Sequence, residues 1–361
     1  MKAFVINKGD LTDNIHTIQK MAEQTKIIAV LKGNGYGLGL LEFAHILQNN
    51  GIDFFVVSEP EDAVVLRNAG ITGDILLITP TAVEEEIEMC VRNDIVLSAG
   101  SEEDYRKISI SAEKNGITAR VHLKIDTGFG RFGFMHTNIE KAVSAVKQYA
   151  NVRTEGVYSH FSFSFSGNRA DVQPQFERFV HCTTYLKQNG IDRLLTHICS
   201  SCAFLQYKDM HLDAVRIGSA FLGRVPLREN YGLKKVGILQ SRVAEVRWLP
   251  KGHFVGYANT YKTNKPTKTA VIPIGFGDGY GLKKRSAQYI FKDVLRSVYH
   301  WIWPQKRLSV RINGKDYPVI GRVSMHNMIL DVTDSDVLAG DMAYVDMNPI
   351  LVNWTIPRIY V

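Results

Sequence analysis

The first 220 residues of the chain alternate short apolar runs with longer stretches in which apolar positions recur at helical spacing. The apolar runs are rich in Val, Ile and Leu, which is typical of strands buried on both faces of a sheet. They predict eight strands, at 27–31, 53–57, 74–79, 94–98, 118–125, 153–159, 194–199 and 214–217. The intervening stretches predict helices at 11–24, 41–49, 61–69, 83–91, from 101 onward, 139–149 and 174–188.

Eight strand–helix units, spaced by roughly 20 to 40 residues, predict an α/β fold of the TIM type, that is, a closed (β/α)8 barrel. An open, doubly wound sheet is the alternative. It is disfavoured because no dinucleotide-binding fingerprint follows any strand. The glycines at 33, 35, 37 and 39 come closest to one, but Leu40 occupies the position of the required third glycine.

From about residue 236 the pattern changes to short alternating segments between Gly, Pro and Asn clusters, which predicts a mainly-β domain. We therefore expect a barrel domain at 1–233 and a C-terminal β-domain at 234–361. The stretch 283–307 is an exception, because its apolar positions have helical spacing and basic neighbours. It predicts an amphipathic helical insertion packed on its own domain, with a membrane-surface or partner-binding role as the alternative.

The composition is that of a globular protein with a sizeable core, since 45% of the 361 residues are apolar and 22% are charged. The net charge of +7 is spread out apart from 283–285 and 306–307, so no nucleic-acid partner is predicted. The N-terminus has no signal-peptide pattern and no apolar run reaches membrane-spanning length, so a cytoplasmic protein without membrane contact is expected. Cys199 and Cys202 have C-x-x-C spacing, but without a second such pair redox chemistry and a metal site are disfavoured.

Lys32 directly follows the first predicted strand. A lysine at the carboxyl end of a buried strand is held on a rigid element and partly desolvated, and such an amine can form a Schiff base. The alternative is a solvated lysine at a strand end. The residue type and its place make Lys32 a candidate catalytic residue.

Polar groups also follow the other predicted strands, and in a barrel these groups share one face because every βα loop opens there. They are Lys124, Asp126, Arg131, His160, Ser200, Ser201, Arg216, Gly218 and Ser219. Cations, hydroxyls and the backbone N–H groups of Gly218 and Ser219 suit a bound anion, most simply a phosphate. The alternatives are that Lys124 and Arg131 only pair with Asp126, and that His160 is a polar residue satisfied at a strand end.

The segment AVLKGNGYGLG around Lys32 resembles the cofactor-lysine motif of the alanine racemases. Further similar segments follow in order: KIDTGFGRFG, YSHF, SS at 200–201, VRIGSAFLG, GYANTY, IPIGFGDGY, GRVSMHNMILDVT and the closing IPRIYV. The resemblance therefore covers nearly the whole chain. It implies a pyridoxal 5'-phosphate enzyme with a barrel and a C-terminal β-domain, an isomerase that interconverts L- and D-alanine and supplies D-alanine as a peptidoglycan precursor.

The resemblance also implies roles for individual residues. Lys32 would hold the cofactor as a Schiff base and act as the base on one face of the substrate Cα. Tyr261 would be the second acid–base group, contributed by the other subunit of a homodimer that shares its active sites. Arg216 would face the pyridine nitrogen of the cofactor together with His160. The phosphate ligands would be Tyr36, Ser201, Gly218 and Ser219.

The small amino-acid substrate would be bound through its carboxylate by Arg131. The backbone of Met325 from the partner would help, and Tyr280 would lie near the substrate mouth. Lys124 matches a supporting lysine that is carbamylated in some relatives. A barrel decarboxylase is disfavoured as an alternative, because its leaving carboxylate would not be clamped by Arg131.

The chain departs from the family pattern at several positions. His326 stands where relatives usually have aspartate, Leu38 where a histidine is frequent, and Ser200 where asparagine is usual. A late tyrosine that binds the phosphate is missing from the shortened segment before Ile356. These departures keep open a racemase of the same mechanism for serine or a larger amino acid. A cofactor-binding regulatory protein without turnover is the other alternative.

Overall fold

The computed structural model describes residues 2–282 and 308–361. The chain forms two compact units, residues 8–236 and residues 1–7 together with 237–361. The predicted helical insertion at 283–307 lies outside the described residues, so it stays a prediction.

Residues 8–236 form a closed barrel of eight parallel strands, which confirms the predicted fold class. In chain order, and numbered barrel strands 1 to 8, they are Lys26–Val30, Phe54–Val57, Asp74–Leu77, Val96–Ala99, Ala119–Asp126, Val152–Tyr158, Leu195–Ser200 and Ala214–Ile217. Strand 8 pairs with strand 1, with Val215 opposite Ile27, and this pairing closes the ring. The apolar runs form strands because both faces are buried, by the barrel core on one side and by helices on the other.

The helices of this unit are Lys8–Ala22, Leu40–Asn49, Pro60–Asn68, Glu84–Arg92, Glu102–Asn115, Ile139–Gln148, Gln173–Gln188 and Ser201–Gln206. Ser101 caps its helix as expected, since its hydroxyl accepts the Asp104 N–H at 3.1 Å. The helix Lys8–Ala22 precedes strand 1, and Asn14 fastens it to the chain that follows strand 8. The Asn14 Nδ2 donates to the carbonyls of Phe221 and Lys234, and its Oδ1 accepts the Lys234 N–H.

The glycine-rich stretch after strand 1 forms a left-handed turn. Gly33, Asn34, Gly35 and Tyr36 have φ of 64°, 55°, 62° and 54°. Left-handed backbone costs an L-residue roughly 1–2 kcal/mol, so glycine at alternate positions halves the number of strained residues. The turn is closed by the Gly35 N–H to the Leu31 carbonyl at 2.7 Å, and the Asn34 side chain accepts the Leu40 N–H at 2.9 Å to begin the next helix.

The second unit is strand-rich, as the alternating pattern predicts. Its described residues form a nine-stranded sheet in the spatial order Glu245–Leu249, Thr267–Ile272, Met328–Asp331, Lys315–Ile320, Ser309–Ile312, Met342–Val345, Ile238–Arg242, Ala3–Ile6 and Arg358–Tyr360. A separate hairpin joins Phe254–Val255 to Tyr261–Lys262. Apart from short 3-10 turns, no helix occurs in this unit within 237–282 and 308–361.

The N-terminal strand belongs to this second unit. Ala3–Ile6 pairs antiparallel with Ile238–Arg242 and parallel with Arg358–Tyr360. The sequence prediction placed residues 1–7 in the barrel, which is wrong for these residues, because both strand partners lie more than two hundred positions away and leave no local signal. At the other boundary, the barrel unit extends to Val236, whereas the prediction ends it at residue 233.

Candidate active site at the barrel mouth

Lys32 lies two residues after strand 1, at the carboxyl end of the barrel, and directly precedes the left-handed turn that begins at Gly33. Its side chain is exposed. Its charge still acts on the site, since Lys32 is one of the cations that lower the pKa of His160.

Tyr36, Ser201 and Gly218 come together at the same end of the barrel. A Cβ at Gly218 would lie 2.8 Å from the Tyr36 hydroxyl oxygen, so only glycine permits this approach. The Ser201 Oγ accepts the N–H groups of Gly218 and Ala220 at 3.0 and 3.3 Å. Its own proton is thereby directed away from these two donors. Burial raises the pKa of Tyr36 to about 12, so its hydroxyl also keeps a proton that it can donate.

Ser219 is the next residue in this group and is half-buried. Its carbonyl accepts the N–H groups of Leu222 and Arg224, and the Gly218 carbonyl accepts the N–H of Phe221. These bonds turn the chain sharply at the end of strand 8. Tyr36, Ser201 and Ser219 therefore lie on short segments whose backbone groups bond to one another, and turns of this kind can form concavities that bind anions.

Arg216 is buried on strand 8 and makes five hydrogen bonds. Its Nη2 lies 3.1 Å from Nδ1 of His160, and its Nη1 lies 2.6 Å from Nδ1 of His197. The other three bonds go to the carbonyls of Ser159, His197 and Ile198. Burial lowers the pKa of Arg216 to about 10, which still leaves the guanidinium charged near neutral pH. A guanidinium only donates, so His160 must accept through Nδ1 and carry its proton on Nε2.

Lys124 is buried and has an unusual environment for a cation. Its Nζ donates to the Ile125 carbonyl at 2.9 Å and lies 5.0 Å from the centre of the Tyr158 ring. Arg216 lies 5.4 Å from the centre of the same ring. Burial, together with the nearby positive charge of Arg216, lowers the pKa of Lys124 to about 7. This amine therefore loses its proton more readily near neutral pH than an ordinary lysine does.

Asp126 organises the loop that carries Arg131. Its Oδ1 accepts the N–H groups of Gly128 and Phe129, and its Oδ2 accepts that of Gly130, all at 2.8–2.9 Å. Among the described residues, Asp126 forms no ion pair with Lys124 or Arg131, so the simple pairing considered from the sequence is wrong. Arg131 is exposed, and its guanidinium lies 4.5 Å from the ring centre of Phe129.

Three predicted site residues lie in the second unit. Tyr261 is in the hairpin opposite Val255, and its ring packs on a cluster that includes Leu249 and Ile320. Tyr280 is buried, and within 2–282 and 308–361 its hydroxyl has no hydrogen-bond partner. The exposed Met325 is held through its carbonyl, which accepts the Gly277 N–H at 2.9 Å.

Sequence reasoning missed several residues that support these groups. His122 and His197 lie in buried strands and extend the contacts of Arg216 into the barrel. Asp278 precedes Tyr280 by two positions, accepts the Gly275 N–H and pairs with Lys2 at 2.6 Å. A histidine within an otherwise apolar run was the available signal for the first two. No sequence signal indicates the pairing of Lys2 with Asp278, which lies 276 positions away along the chain.

The described residues hold no cluster of three or more His, Cys, Asp or Glu arranged for a metal ion. Cys199 and Cys202 are both buried free thiols, and burial raises their pKa to about 12 and about 11. Such thiols lack the thiolate character that redox chemistry needs. None of the helices described is both long and apolar enough for a transmembrane span.

Fold and site together define a (β/α)8-barrel protein with lysine, arginine, tyrosine and serine side chains at the carboxyl ends of its strands. The family model described as alanine racemase, N-terminal domain, matches residues 6–226, and the one described as alanine racemase, C-terminal domain, matches residues 236–348. The chain belongs to the alanine racemase family.

Individual relatives agree with this assignment. The alanine racemase of Methanococcus maripaludis is 31% identical over 347 residues, which cover 94% of this chain and 87% of that protein. That of Clostridium perfringens strain SM101 is 33% identical, covering 92% of this chain and 82% of that protein. The crystal structure of alanine racemase from D-cycloserine-producing Streptomyces lavendulae superposes with a TM-score of 0.88 at 26% identity, covering 100% of this chain and 97% of that one.

Proposed function

We propose that this chain is a pyridoxal-phosphate-dependent alanine racemase whose active site is completed by a second copy of the chain. The observation that carries the proposal is the convergence, at one end of the barrel, of Lys32 with hydroxyl donors and the buried Arg216. Family membership supplies the reaction class, and the geometry of the mouth supports its assignment to these residues.

The residues present fit the cofactor. Tyr36, Ser201, Gly218 and Ser219 would hold its phosphate, because the close approach at Gly218 leaves no room for a side chain and the hydroxyls keep protons to donate. When bound, the cofactor supplies an electron sink for negative charge at the substrate Cα. Arg216 keeps its protons near neutral pH, so it would donate a hydrogen bond to the group it faces without protonating it.

Racemisation requires that a proton leave one face of Cα and return on the other. Lys32 Nζ would exchange the proton on one face, and the Tyr261 hydroxyl of a second copy would exchange it on the opposite face. In one direction the lysine accepts a proton while the tyrosine donates one, and the reverse direction exchanges these roles. After one conversion Lys32 has gained a proton and Tyr261 has lost one, so both are restored when the lysine loses a proton to solvent and the tyrosine takes one up, and no net acid or base is consumed.

Arg131 would bind the substrate carboxylate, for which a planar guanidinium fork is suited. The loop bonds to Asp126 support this role, because they fix the backbone that leads to Arg131. The backbone of Met325 from the second copy of the chain would help, and Tyr280 would lie near the substrate mouth. The carbonyl of Met325 is already bonded to Gly277, so its position is set before substrate arrives.

Serine, or a larger amino acid, is the second candidate substrate. The observation that favours it is His326, an exposed residue next to Met325, where relatives usually have aspartate. Exchange of a carboxylate for an imidazole changes both the charge and the hydrogen-bonding pattern at that position. Chemistry at Cα is unaffected, so the change bears on which side chain is accepted.

The direct test is to incubate the protein, supplied with pyridoxal phosphate, with L-alanine or L-serine and to measure the enantiomers by chiral chromatography. We expect alanine to approach equal amounts of both enantiomers. Faster conversion of serine would favour the second candidate. If neither pool changes while L-ornithine or L-lysine racemises, the alanine assignment is wrong.

Sharing of the site between two copies can be tested by complementation. Lys32→Ala and Tyr261→Phe homodimers should each be nearly inactive. Mixed dimers that form after the two variants are refolded together should regain activity, because one of their two sites contains both Lys32 and Tyr261. If the mixture stays inactive although mixed dimers form, the two residues act within one chain.

A further inference from the structure

A line of hydrogen bonds leads from Arg216 into the barrel interior and ends on His122, a residue that the proposed reaction does not use. Arg216 Nη1 lies 2.6 Å from His197 Nδ1, and His197 Nε2 lies 2.9 Å from His122 Nδ1. The three residues are on strands 8, 7 and 5, and all three are buried. The line therefore crosses the core of the barrel beneath the candidate active site.

The direction of these hydrogen bonds follows from Arg216. A guanidinium has donors and no acceptor, so His197 must accept through Nδ1. A neutral histidine carries one ring proton, which in His197 is then on Nε2 and is donated to Nδ1 of His122. His122 in turn must carry its own proton on Nε2. One arginine thus sets the tautomers of two successive histidines.

Both rings are neutral in this arrangement. Burial, with the charge of Arg216 as a further cause, lowers the pKa of His197 well below 6.5. Burial also lowers the pKa of His122 to about 3. A cationic His197 would carry a proton on Nδ1 that points at the donor group of Arg216. The hydrogen-bond geometry and the lowered pKa therefore both indicate a neutral ring.

Packing holds the two rings in place. A Cβ at Gly156 would lie 2.5–2.7 Å from three atoms of the His122 ring, so glycine is what admits the ring at this position. Phe54 contacts the same ring edge-on, with centroids 5.7 Å apart. His197 is stacked on Tyr158 at an interplanar angle of 5°. Tyr158 is itself anchored by hydrogen bonds to Ser98 and to the Ile78 carbonyl.

We propose that His122 is a positioning residue for Arg216: it accepts from His197 Nε2 and so holds that ring where its Nδ1 orients the guanidinium. Fixing Nη1 in this way leaves Nη2 to bond His160 and the carbonyls of Ser159 and Ile198. The inference rests on the proposed function only in assuming that Arg216 faces the reacting group. The tautomer itself is a property of the chain alone.

The first experiment therefore uses the full-length protein without cofactor or substrate. With ring-15N-labelled histidine, the His197 signals are identified by their loss in His197→Asn. We expect a protonated Nε2 and an unprotonated Nδ1, unchanged between pH 6 and pH 9. A proton on Nδ1, or an imidazolium in this range, would overturn the proposal even if the protein proved to be an active racemase.

Two substitutions of His122 separate the hydrogen bond from packing. His122→Asn keeps an acceptor oxygen near the position of Nδ1, whereas His122→Leu removes the acceptor and keeps apolar volume. In the leucine variant Arg216 still requires an unprotonated Nδ1, so we expect the Nε2–H signal of His197 to shift because that group has lost its acceptor. We also expect kcat to fall on the order of tenfold, as when outer-shell partners are removed, with little change in KM. The asparagine variant should restore both properties.

His211→Asn is the matched control, because His211 is a buried histidine that precedes strand 8 and its Nε2 donates to the Phe204 carbonyl at 2.9 Å. It should leave the His197 signals unchanged. If His122→Leu does not fold, His122→Met replaces it, and the wild-type spectrum still decides the direction of the bonds. An unchanged Nε2–H signal of His197, or an unchanged kcat, in either folded apolar variant contradicts the proposal. A wild-type protein with the expected spectrum but no racemisation contradicts only the proposed function.

Discussion

The backbone of Gly218 rests against the ring edge of Tyr36, so that a Cβ at position 218 would lie 2.5 Å from Cε2 of that ring. Gly218 follows strand 8 and Tyr36 ends the turn after strand 1. The contact thus brings the first and last βα connections of the barrel together. In the proposed function, both residues belong to the phosphate site.

Gly218→Ala should weaken cofactor binding. The added methyl group cannot share space with the tyrosine ring, so Tyr36 or the turn at Ser219 must move. We expect the Kd for pyridoxal phosphate, measured by absorbance titration, to rise at least tenfold. Tyr36→Phe removes the hydroxyl without crowding and should have a smaller effect. In a Tyr36→Leu background, Gly218→Ala should raise this Kd by a smaller factor, because the leucine side chain leaves room for the methyl group. An equal rise in both backgrounds would contradict the steric explanation.

Gly35→Ala should destabilise the protein and lower its activity. Gly35 has φ of 62°, and its Cβ would also lie 3.3 Å from Cδ1 of Phe43. We expect a loss of roughly 1–2 kcal/mol in the free energy of unfolding from the left-handed backbone, and a further loss from crowding.

Gly116→Ala provides the matched control for this substitution. Gly116 has φ of 66° at the end of a helix, and nothing lies within 4 Å of its Cβ position. It should show the backbone penalty alone in urea unfolding, with activity unchanged. Equal activity losses in the two variants would mean that the turn between Lys32 and Tyr36 has no special role.

The barrel could be predicted from the sequence because its strands are buried on both faces and therefore appear as continuous apolar runs. Lys32 and Arg216 follow from the same pattern, since the ends of parallel strands in a barrel share one face. Ala3–Ile6 could not be assigned in this way, because it is stabilised by pairing with Ile238–Arg242. Such pairing depends on contacts between distant parts of the chain.

The directions of the hydrogen bonds in the site also could not be predicted from the sequence. The pattern places Ser201 and His160 at strand ends, but it does not show that Ser201 accepts two N–H groups or that His160 accepts from Arg216. The glycines at 33 and 35 indicate an unusual turn, whereas its left-handed course through Asn34 becomes visible only in the structure. The roles of Tyr261, Tyr280 and Met325 rest on family resemblance and stay predictions.

Lys124 should make stability depend on pH above neutrality. The pKa of its amine is lowered by burial from 10.5 to about 7. Between these values the unfolded chain binds a proton that the folded protein does not, so the free energy of unfolding rises with pH. Below pH 7 the penalty for burying the charge is fully present. The stability gained by Lys124→Met should therefore be largest there and shrink by about 1.4 kcal/mol per pH unit toward pH 10.5.

Urea unfolding of both proteins from pH 6 to pH 10 measures this difference, and a difference that does not change with pH contradicts a titrating buried amine. The series should be run in CO2-free buffer. The neutral amine can add CO2, forming an N–C bond with loss of a proton, and the family resemblance makes this carbamate an expectation for Lys124. A new carbonyl signal with 13C-bicarbonate, absent in Lys124→Met, would detect it.

Asp126→Asn should weaken substrate binding through Arg131. Asparagine keeps one oxygen for the N–H groups of Gly128 and Phe129 but turns an amide donor toward the N–H of Gly130. A hydrogen bond to a charged group contributes about 1.5–3 kcal/mol, and each 1.4 kcal/mol corresponds to about tenfold in affinity. We therefore expect KM for alanine to rise about tenfold or more, with a smaller change in kcat.

Arg131→Lys should raise KM as well, because lysine keeps the charge but loses the planar fork. The two variants together distinguish a loop that positions Arg131 from a loop that merely stabilises the fold. Asp94→Asn is the control, since that exposed carboxylate lies 3.3 Å from Arg120 ahead of strand 4, at the end of the barrel away from the mouth. It should leave KM unchanged. If Asp126→Asn also leaves KM unchanged while Arg131→Lys raises it, the carboxylate does not position the arginine. The rings of Phe129 and Phe132 beside the guanidinium would then be the groups that position it.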